Sequence, residues 1–469
     1  MTTQYNKPTL AFVQTTMSGF DAVLDVEEVR DMSLYAPLVK GITDKLSKYA
    51  NVQDYGIVGD ELQAVEAREK IRISGADIML VWPINYTLDT VMLALASSQS
   101  APLVILNTAP RTTIASDCDF GQTMENNAVA CIPTMTNVLI KSGLDYELVS
   151  GGIDDENLYC KLGNLIKASA VCKFLRTARI GVLGRSYPGI SAISADESLI
   201  PGKFGTTLVP MKINAIAAAF GEVSKEATQV ETQLVKSRCT PDGISEDEIC
   251  ASAQLSVAIQ KIVEKDSLSA IAGLCQLLVA DDRIGTVPCH ANTILTEQGI
   301  PVTCECDIHT ALAALMLQNI ANDVTFLEFY TQDYENGYAM LSHCGQGNLL
   351  DAAKGSKVSA KAHPCYPGVR GCGVSYEYLM KPGDVTYACL TYVDGKWIMV
   401  AGLGESIEQT LRPTATVQMY FRFKDADFFE AYDKFCRLGG FHHFAVSYGD
   451  HLPVLEKACR YMGVEFRKV

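Results

Sequence analysis

Arg179-Ile180-Gly181-Val182-Leu183-Gly184-Arg185 reads as a buried strand ending in a glycine turn, and it directly follows a long helical stretch from Asn157 to Arg176. It restarts in mid-chain a pattern that already fills the first third of the sequence. There, Leu10-Ala11-Phe12-Val13, Tyr55-Gly56-Ile57-Val58, Asp77 to Trp82 and Pro102 to Leu106 are strand-like apolar runs. Leu34 to Ala50, Glu61 to Gly75, Asp89 to Gln99 and Met124 to Ser142 are helical, and Leu144 to Val149 is a closing strand. Short apolar strands alternating with helices give parallel βαβ units. After the glycine turn, Gly205 to Met211, Gly273 to Val279 and Val324 to Phe329 read as strands. Ile213 to Val235, Glu246 to Lys265 and Ile308 to Ile320 are helical in between. Past about residue 350 the pattern changes. Asp394-Gly395-Lys396 is a hairpin turn between Asp384 to Val393 and Trp397 to Ala401, and Thr414 to Phe423 alternates as a further strand. The expected architecture is α/β: two consecutive Rossmann-like (flavodoxin-like) parallel-sheet domains, residues 1–155 and 156–348, then a β-rich antiparallel C-terminal domain, residues 349–469.

Composition narrows the class. Of 469 residues, 48% are apolar and 20% charged, the balance of a packed globular protein. A formal charge of -15 argues against nucleic acid or an anionic membrane as the main partner, since both need a basic face. Apolar runs such as Ile78 to Pro83 are too short to cross a bilayer. The opening residues lack a basic segment followed by an apolar one, so a soluble, cytoplasmic protein is expected. Sixteen irregularly spaced cysteines then read as reduced thiols rather than a disulfide framework.

The chemistry concentrates in Cys304-Glu305-Cys306-Asp307-Ile308-His309, Phe326-Leu327-Glu328-Phe329-Tyr330 and Ser342-His343-Cys344, with His442-His443 near the C-terminus. Glu305 ends a short apolar run and Glu328 is embedded in another, where strand alternation puts Phe326 on its face. A carboxylate in such surroundings is costly unless paired, protonated or bound to a cation. Each residue alone also has a plain reading, as the first residue of a loop or a hydrogen-bonded histidine. Their joint occurrence at the ends of strands, where sites assemble in α/β sheets, points to a divalent metal site. Two carboxylates with one or two imidazoles form a hard, mostly oxygen site suited to Mn²⁺, with Mg²⁺ or Co²⁺ as alternatives. A competing set, Cys304, Cys306 and His309, would make a soft zinc site but lacks a second cysteine pair. The turn Gly184 to Gly189 matches neither phosphate-loop nor dinucleotide fingerprints, so no nucleotide cofactor is expected.

In order and spacing these residues resemble the L-arabinose isomerase and L-fucose isomerase superfamily, whose signatures run E-G-D, M-E-D-Y, S-H and a C-terminal H-H. Here they read Glu305-Cys306-Asp307, Leu327-Glu328-Phe329-Tyr330, Ser342-His343 and His442-His443. The resemblance implies a metal held by Glu305, Glu328, His343 and His443, with Glu305 and Glu328 as the acid–base pair and His442 against the substrate. It implies an aldose–ketose isomerase working through an enediol on a pentose or hexose, without redox cofactor. It also implies a homo-trimer or homo-hexamer whose site lies at a subunit interface, with Gln14, Trp82, Asn85 and Asn126 contacting sugar hydroxyls. Two departures stand out: Cys306 replaces the glycine, and Phe329 replaces the acid after the second glutamate. The segment around Asn126-Asn127 has amides where arabinose isomerases present a histidine, so a sugar other than L-arabinose is expected. Two other classes remain open: a non-catalytic or regulatory sugar-binding protein with tandem α/β domains, and a metal-dependent hydrolase.

Overall fold

The structure is a computed structural model that describes residues 7–17, 32–97, 101–366 and 369–469. The chain divides into two compact units, Tyr5–Lys173 and Phe174–Val469.

The first unit holds a five-stranded, all-parallel sheet in the order Asn51–Val58, Thr9–Thr15, Ile78–Pro83, Leu103–Asn107, Glu147–Ser150. This is the doubly wound 2-1-3-4-5 order of flavodoxin-like sheets. Ile78–Pro83 is buried at every position, as a central strand covered on both faces must be. The helix Glu61–Ser74 shows how the local sequence sets its limits. Asp60 caps it by accepting from the Gln63 N–H, and Gly75 ends it at φ 67°.

The second unit contains two sheets. Four parallel strands run in the order Val302–Cys304, Ala270–Gly273, Arg179–Leu183, Thr207–Met211. Numbered from Arg179–Leu183 this is 2-1-3-4, so the winding of the first unit is repeated. A mixed, mostly antiparallel sheet of ten strands follows. Within it Lys396–Ile407, Gly383–Val393, His443–Tyr448, Thr325–Asp333, Tyr338–Ser342 and Val417–Phe423 pair antiparallel in turn. Val417–Phe423 also pairs with Lys396–Ile407, which closes these six into a barrel. Phe329, Tyr387, Phe421, Phe435 and Phe444 fill its core edge to face. Gly404 is required there, because a Cβ would lie 1.9 Å from the Phe421 ring.

The helix Ile308–Ala321 packs against the parallel strands on one side and barrel strands on the other. It is buried from Ile308 through Gln318, which explains its lack of a polar face.

Two segments differ from the sequence reading. Gly273 to Val279 is not one strand: the strand ends at Gly273, and Gln276–Ala280 is a short helix. A run of apolar residues this short carries no period that separates strand from helix. Thr325–Asp333 and Tyr338–Ser342 pair into the ten-stranded sheet rather than extending the parallel one. No helix among the described residues is long and apolar enough to cross a membrane.

Candidate functional site

Glu305 leaves the parallel sheet directly after Val302–Cys304, on a tight turn. Glu305 and Cys306 adopt φ of 59° and 57°, two successive left-handed residues without a glycine. Side chains resist this region, and such strain collects at functional sites. The turn is held by the Asp307 N–H donating to the Cys304 carbonyl (3.1 Å) and the Tyr187 N–H donating to the Glu305 carbonyl (3.1 Å). Thr303 Oγ1 donates to the Asp307 carbonyl at 2.7 Å.

Glu328 comes from the barrel. In register it lies opposite His443 on one neighbouring strand and Ser342 on the other, and His343 is the residue that follows Ser342 at the end of that strand. A bulge follows between Phe329 and Thr331, and Phe329 turns into the barrel core. Phe326 does share the face of Glu328. Its ring centre stands 4.6 Å from that of His343 and 4.7 Å from that of His443, walling one side of the cluster.

The side chains converge. His443 Nε2 is 3.8 Å from Glu305 Oε2 and 3.7 Å from Glu328 Oε2. His343 Nε2 is 4.0 Å from Glu328 Oε1, and His442 Nε2 is 3.7 Å from Glu328 Oε2. These separations are too long for hydrogen bonds. Glu305 Oε2, both nitrogens of His343 and His443 Nε2 are buried without a hydrogen-bond partner among the described residues. Orphaned polar atoms aimed at one point call for something between them. Octahedral donors at about 2.1 Å from a divalent ion lie roughly 3–4 Å apart, so the donor set fits one. Glu305, His442 and His443 form one such group, and Glu328, His343 and His443 another. Cys304, Cys306 and His309 do not converge in this way: Cys304 Sγ instead faces Gln346 Oε1 at 3.4 Å.

Electrostatics follow from burial. Burial pushes the Glu328 carboxyl up to about 7, opposed by His443 and reinforced by Glu305. Burial also raises Glu305. His343 is held well below its ordinary value by burial and then by His443, His442 and His363, so it stays neutral. Burial, then His443, lowers His442 to about 4.

One residue that the sequence reading quotes without a role is central. Asp307 Oδ2 stands 3.0 Å from His443 Nδ1, and both side chains are fully buried. Asp307 also caps the Ile308–Ala321 helix, accepting from the Thr310 N–H and hydroxyl. Burial would raise its carboxyl, but these bonds outweigh burial and hold it below the usual carboxylate range. The carboxylate fixes Nδ1 as the protonated nitrogen and leaves the His443 Nε2 lone pair facing Glu305 and Glu328. Its spacing two residues after Glu305, at the start of a helix, was the available signal.

The remaining candidates lie in the first unit. Gln14 is the last residue but one of the first strand and Asn85 follows the third; both are fully buried. Thr16 Oγ1 donates to Asn85 Oδ1 at 2.6 Å, while Gln14 Oε1 and Asn85 Nδ2 lack partners among the described residues. Trp82 donates its indole N–H to the Thr108 carbonyl, and the Asn126 amide is taken up by both backbone groups of Arg111.

Comparison with known proteins accords with this chemistry. No protein-family model matches the chain. It is 26% identical over 338 residues to the sulfoquinovose isomerase of Priestia megaterium (strain ATCC 12872 / QMB1551), covering 70% of this chain and 73% of that one. It is 22% identical over 300 residues to the sulfoquinovose isomerase of Alkalicoccus urumqiensis, covering 64% and 67%. These matches support a sugar isomerase, a broader class than the arabinose and fucose isomerases that the motifs resemble. Among solved structures, a solute-binding protein of an ABC transporter from Agrobacterium vitis, bound with alpha-D-tagatopyranose, aligns at 13% identity and a TM-score of 0.18. It covers 58% of this chain and 80% of that one.

Proposed function

We propose that this protein is a metal-dependent aldose–ketose isomerase whose substrate is a hexose carrying an anionic group at C6, of the sulfoquinovose type. The observation that carries the reading is the convergence of Glu305, Glu328, His343, His442 and His443, with buried atoms left unpaired in the described structure. The names of the relatives supply the substrate class.

Glu305, Glu328, His343 and His443 would hold the ion, with Mn²⁺ the best match and Mg²⁺ or Co²⁺ as alternatives. When bound, such an ion supplies Lewis acidity that acidifies the hydrogen next to a carbonyl and offsets negative charge on the sugar oxygens. The protein does the rest. One carboxylate takes the proton from C2 and returns it to C1, and the other carries the hydroxyl proton from O2 to O1. The aldehyde thereby becomes a primary alcohol and C2 a ketone, with no net loss of atoms or electrons. Glu305 and Glu328 are the two carboxylates in reach, and proton transfer by placed groups contributes roughly 10²–10⁴-fold. His442, kept neutral and partly exposed, is free to hydrogen-bond a sugar hydroxyl. Phe326 screens the cluster from water and so strengthens its electrostatics.

Gln14 and Asn85, with unpaired buried amide atoms, suit a hydroxyl-rich ligand in the first unit, and the homo-oligomer implied by the resemblance belongs to the same reading. The test is metal analysis of protein purified with added manganese, then ketose formation from sulfoquinovose, D-glucose, L-arabinose and L-fucose. Bound metal with turnover of the sulfonated sugar supports the reading; metal-free protein, or turnover of none of the four, overturns it.

A further inference from the structure

A sulfonate at C6 needs a cationic or N–H partner. The cluster has none to spare, because its two carboxylates already balance a divalent ion. The receiving group must therefore sit beside the cluster, and the parallel sheet shows where. Ligands gather at the carboxyl ends of such strands. Three strands end next to one another there: Val302–Cys304 runs into Glu305, Ala270–Gly273 into Leu274-Cys275, and Arg179–Leu183 into Gly184-Arg185. Neither the Glu305-Cys306-Asp307 turn nor the Leu274 to Val279 segment holds a cation.

Resting on the reading that the substrate bears a C6 sulfonate, we propose that Arg185 binds this anionic end of the sugar, from a turn tied by backbone hydrogen bond to Glu305. The tie is the Tyr187 N–H donating to the Glu305 carbonyl at 3.1 Å. Gly184 permits the close approach: its φ is 84°, and a Cβ would lie 2.7 Å from Leu277 Cδ1 and 3.1 Å from Leu274 Cβ. The Arg185 side chain is 86% exposed and its guanidinium only loosely paired, 3.8 Å from Glu197 Oε1, so it retains donors for a ligand.

Other cations at this edge are worse placed. Lys212 follows Thr207–Met211, the outermost strand and the farthest from Val302–Cys304. Arg283 is occupied by Asp281, at 2.9 and 2.6 Å, and by Asn214 at 2.8 Å. Arginine also matches three sulfonate oxygens better than lysine, through two parallel N–H donors.

Steady-state kinetics on sulfoquinovose with the full-length, manganese-loaded protein tests the assignment. Arg185→Met is expected to raise KM roughly 10- to 100-fold, the scale of a lost charge-assisted hydrogen bond, with a much smaller change in kcat. Arg185→Lys should recover part of the loss, and Lys212→Met should leave KM where it is. An unchanged KM in Arg185→Met, or a fall in kcat alone, overturns the assignment while leaving the isomerase reading intact. Wild-type protein that binds manganese and isomerises only neutral aldoses overturns the substrate class, and this inference with it.

Discussion

His443 Nδ1 and Asp307 Oδ2 stand 3.0 Å apart with neither side chain exposed, and this pair joins the barrel to the parallel sheet at the centre of the site. Asp307 does two jobs, and two substitutions separate them. Asp307→Asn keeps a helix-capping side chain but cannot hold the imidazolium-like proton as strongly. Manganese affinity should fall about 10- to 100-fold, with little change in the unfolding midpoint. Asp307→Ala should lose the same affinity and in addition about 1 kcal/mol of stability. Isothermal titration with manganese and urea unfolding read the two effects apart; equal affinity in wild type and Asn variant would remove Asp307 from the metal-orienting role.

Glu305→Gln and Glu328→Gln should each reduce turnover by at least about 10²-fold while leaving the far-ultraviolet circular dichroism unchanged, because both side chains border an open cluster rather than a packed core. Isomerisation in deuterium oxide should place solvent deuterium at C1 of the ketose. Complete retention of the original hydrogen would point to a hydride shift and remove the carboxylates from the proton path.

Both α/β sheets were legible because buried parallel strands read as unbroken apolar runs, as at Ile78 to Trp82 and Ile180 to Leu183. Glu328 stood out for the converse reason, a carboxylate within such a run. The barrel was less legible. Its closure depends on which strand Val417–Phe423 meets on its second edge, and alternation along one strand carries no record of its neighbours. For the same reason Thr325–Asp333 looked like the end of the parallel sheet. Asp307 carries no comparable mark in the sequence, because its role rests on a contact with His443, far away along the chain, whereas its helix-start position is local.

Cys306 tests the strained turn. At φ 57° a glycine costs nothing, whereas any side chain costs about 1–2 kcal/mol. Cys306→Gly gives back this strain but loses a buried thiol of similar worth, so stability should change by less than about 1 kcal/mol and activity should persist. Cys306→Val adds a β-branch, which tolerates the left-handed region worst. It should destabilise by about 2 kcal/mol and reduce activity by displacing Glu305. A Val variant as active and stable as the Gly variant would show that the turn's conformation does not matter.

Manganese binding should depend on pH through Glu328. Burial, with His443 opposing and Glu305 assisting, raises this carboxyl to about 7 in the metal-free protein, so a proton must leave before it can bind a cation. Apparent affinity should rise with pH up to about 7 and then flatten. The stability that the raised value lends the metal-free protein is present below the ordinary value of 4.5 and lost as pH rises through about 7. Equilibrium dialysis between pH 5.5 and 8.5 measures the affinity; a flat profile across pH 6–7 would contradict the assignment.

A second buried carboxyl pair, outside the site, sets a pH dependence of its own. Asp351 is buried and bound by Lys381 Nζ at 2.7 Å, while Asp323 accepts from Asn348 Nδ2 at 3.2 Å. Burial, then the charge of Asp351, raises Asp323 to about 6, with Lys381 opposing. The folded state therefore holds this proton more tightly than the unfolded chain. The corresponding stability is complete below the ordinary aspartate value of 3.8 and lost as pH rises through about 6. Asp323→Asn carries a permanent donor where the proton sits and keeps an oxygen for Asn348. It should match wild type near pH 4 and exceed it by up to about 3 kcal/mol at pH 8. Asp351→Asn should instead destabilise at both, because it removes the partner of a Lys381 ammonium packed 4.3 Å from the Tyr448 ring centre. Denaturant midpoints of the three proteins at pH 4.5 and 8 decide it: a gain for Asp323→Asn that does not grow with pH would mean that Asp323 is ionised throughout.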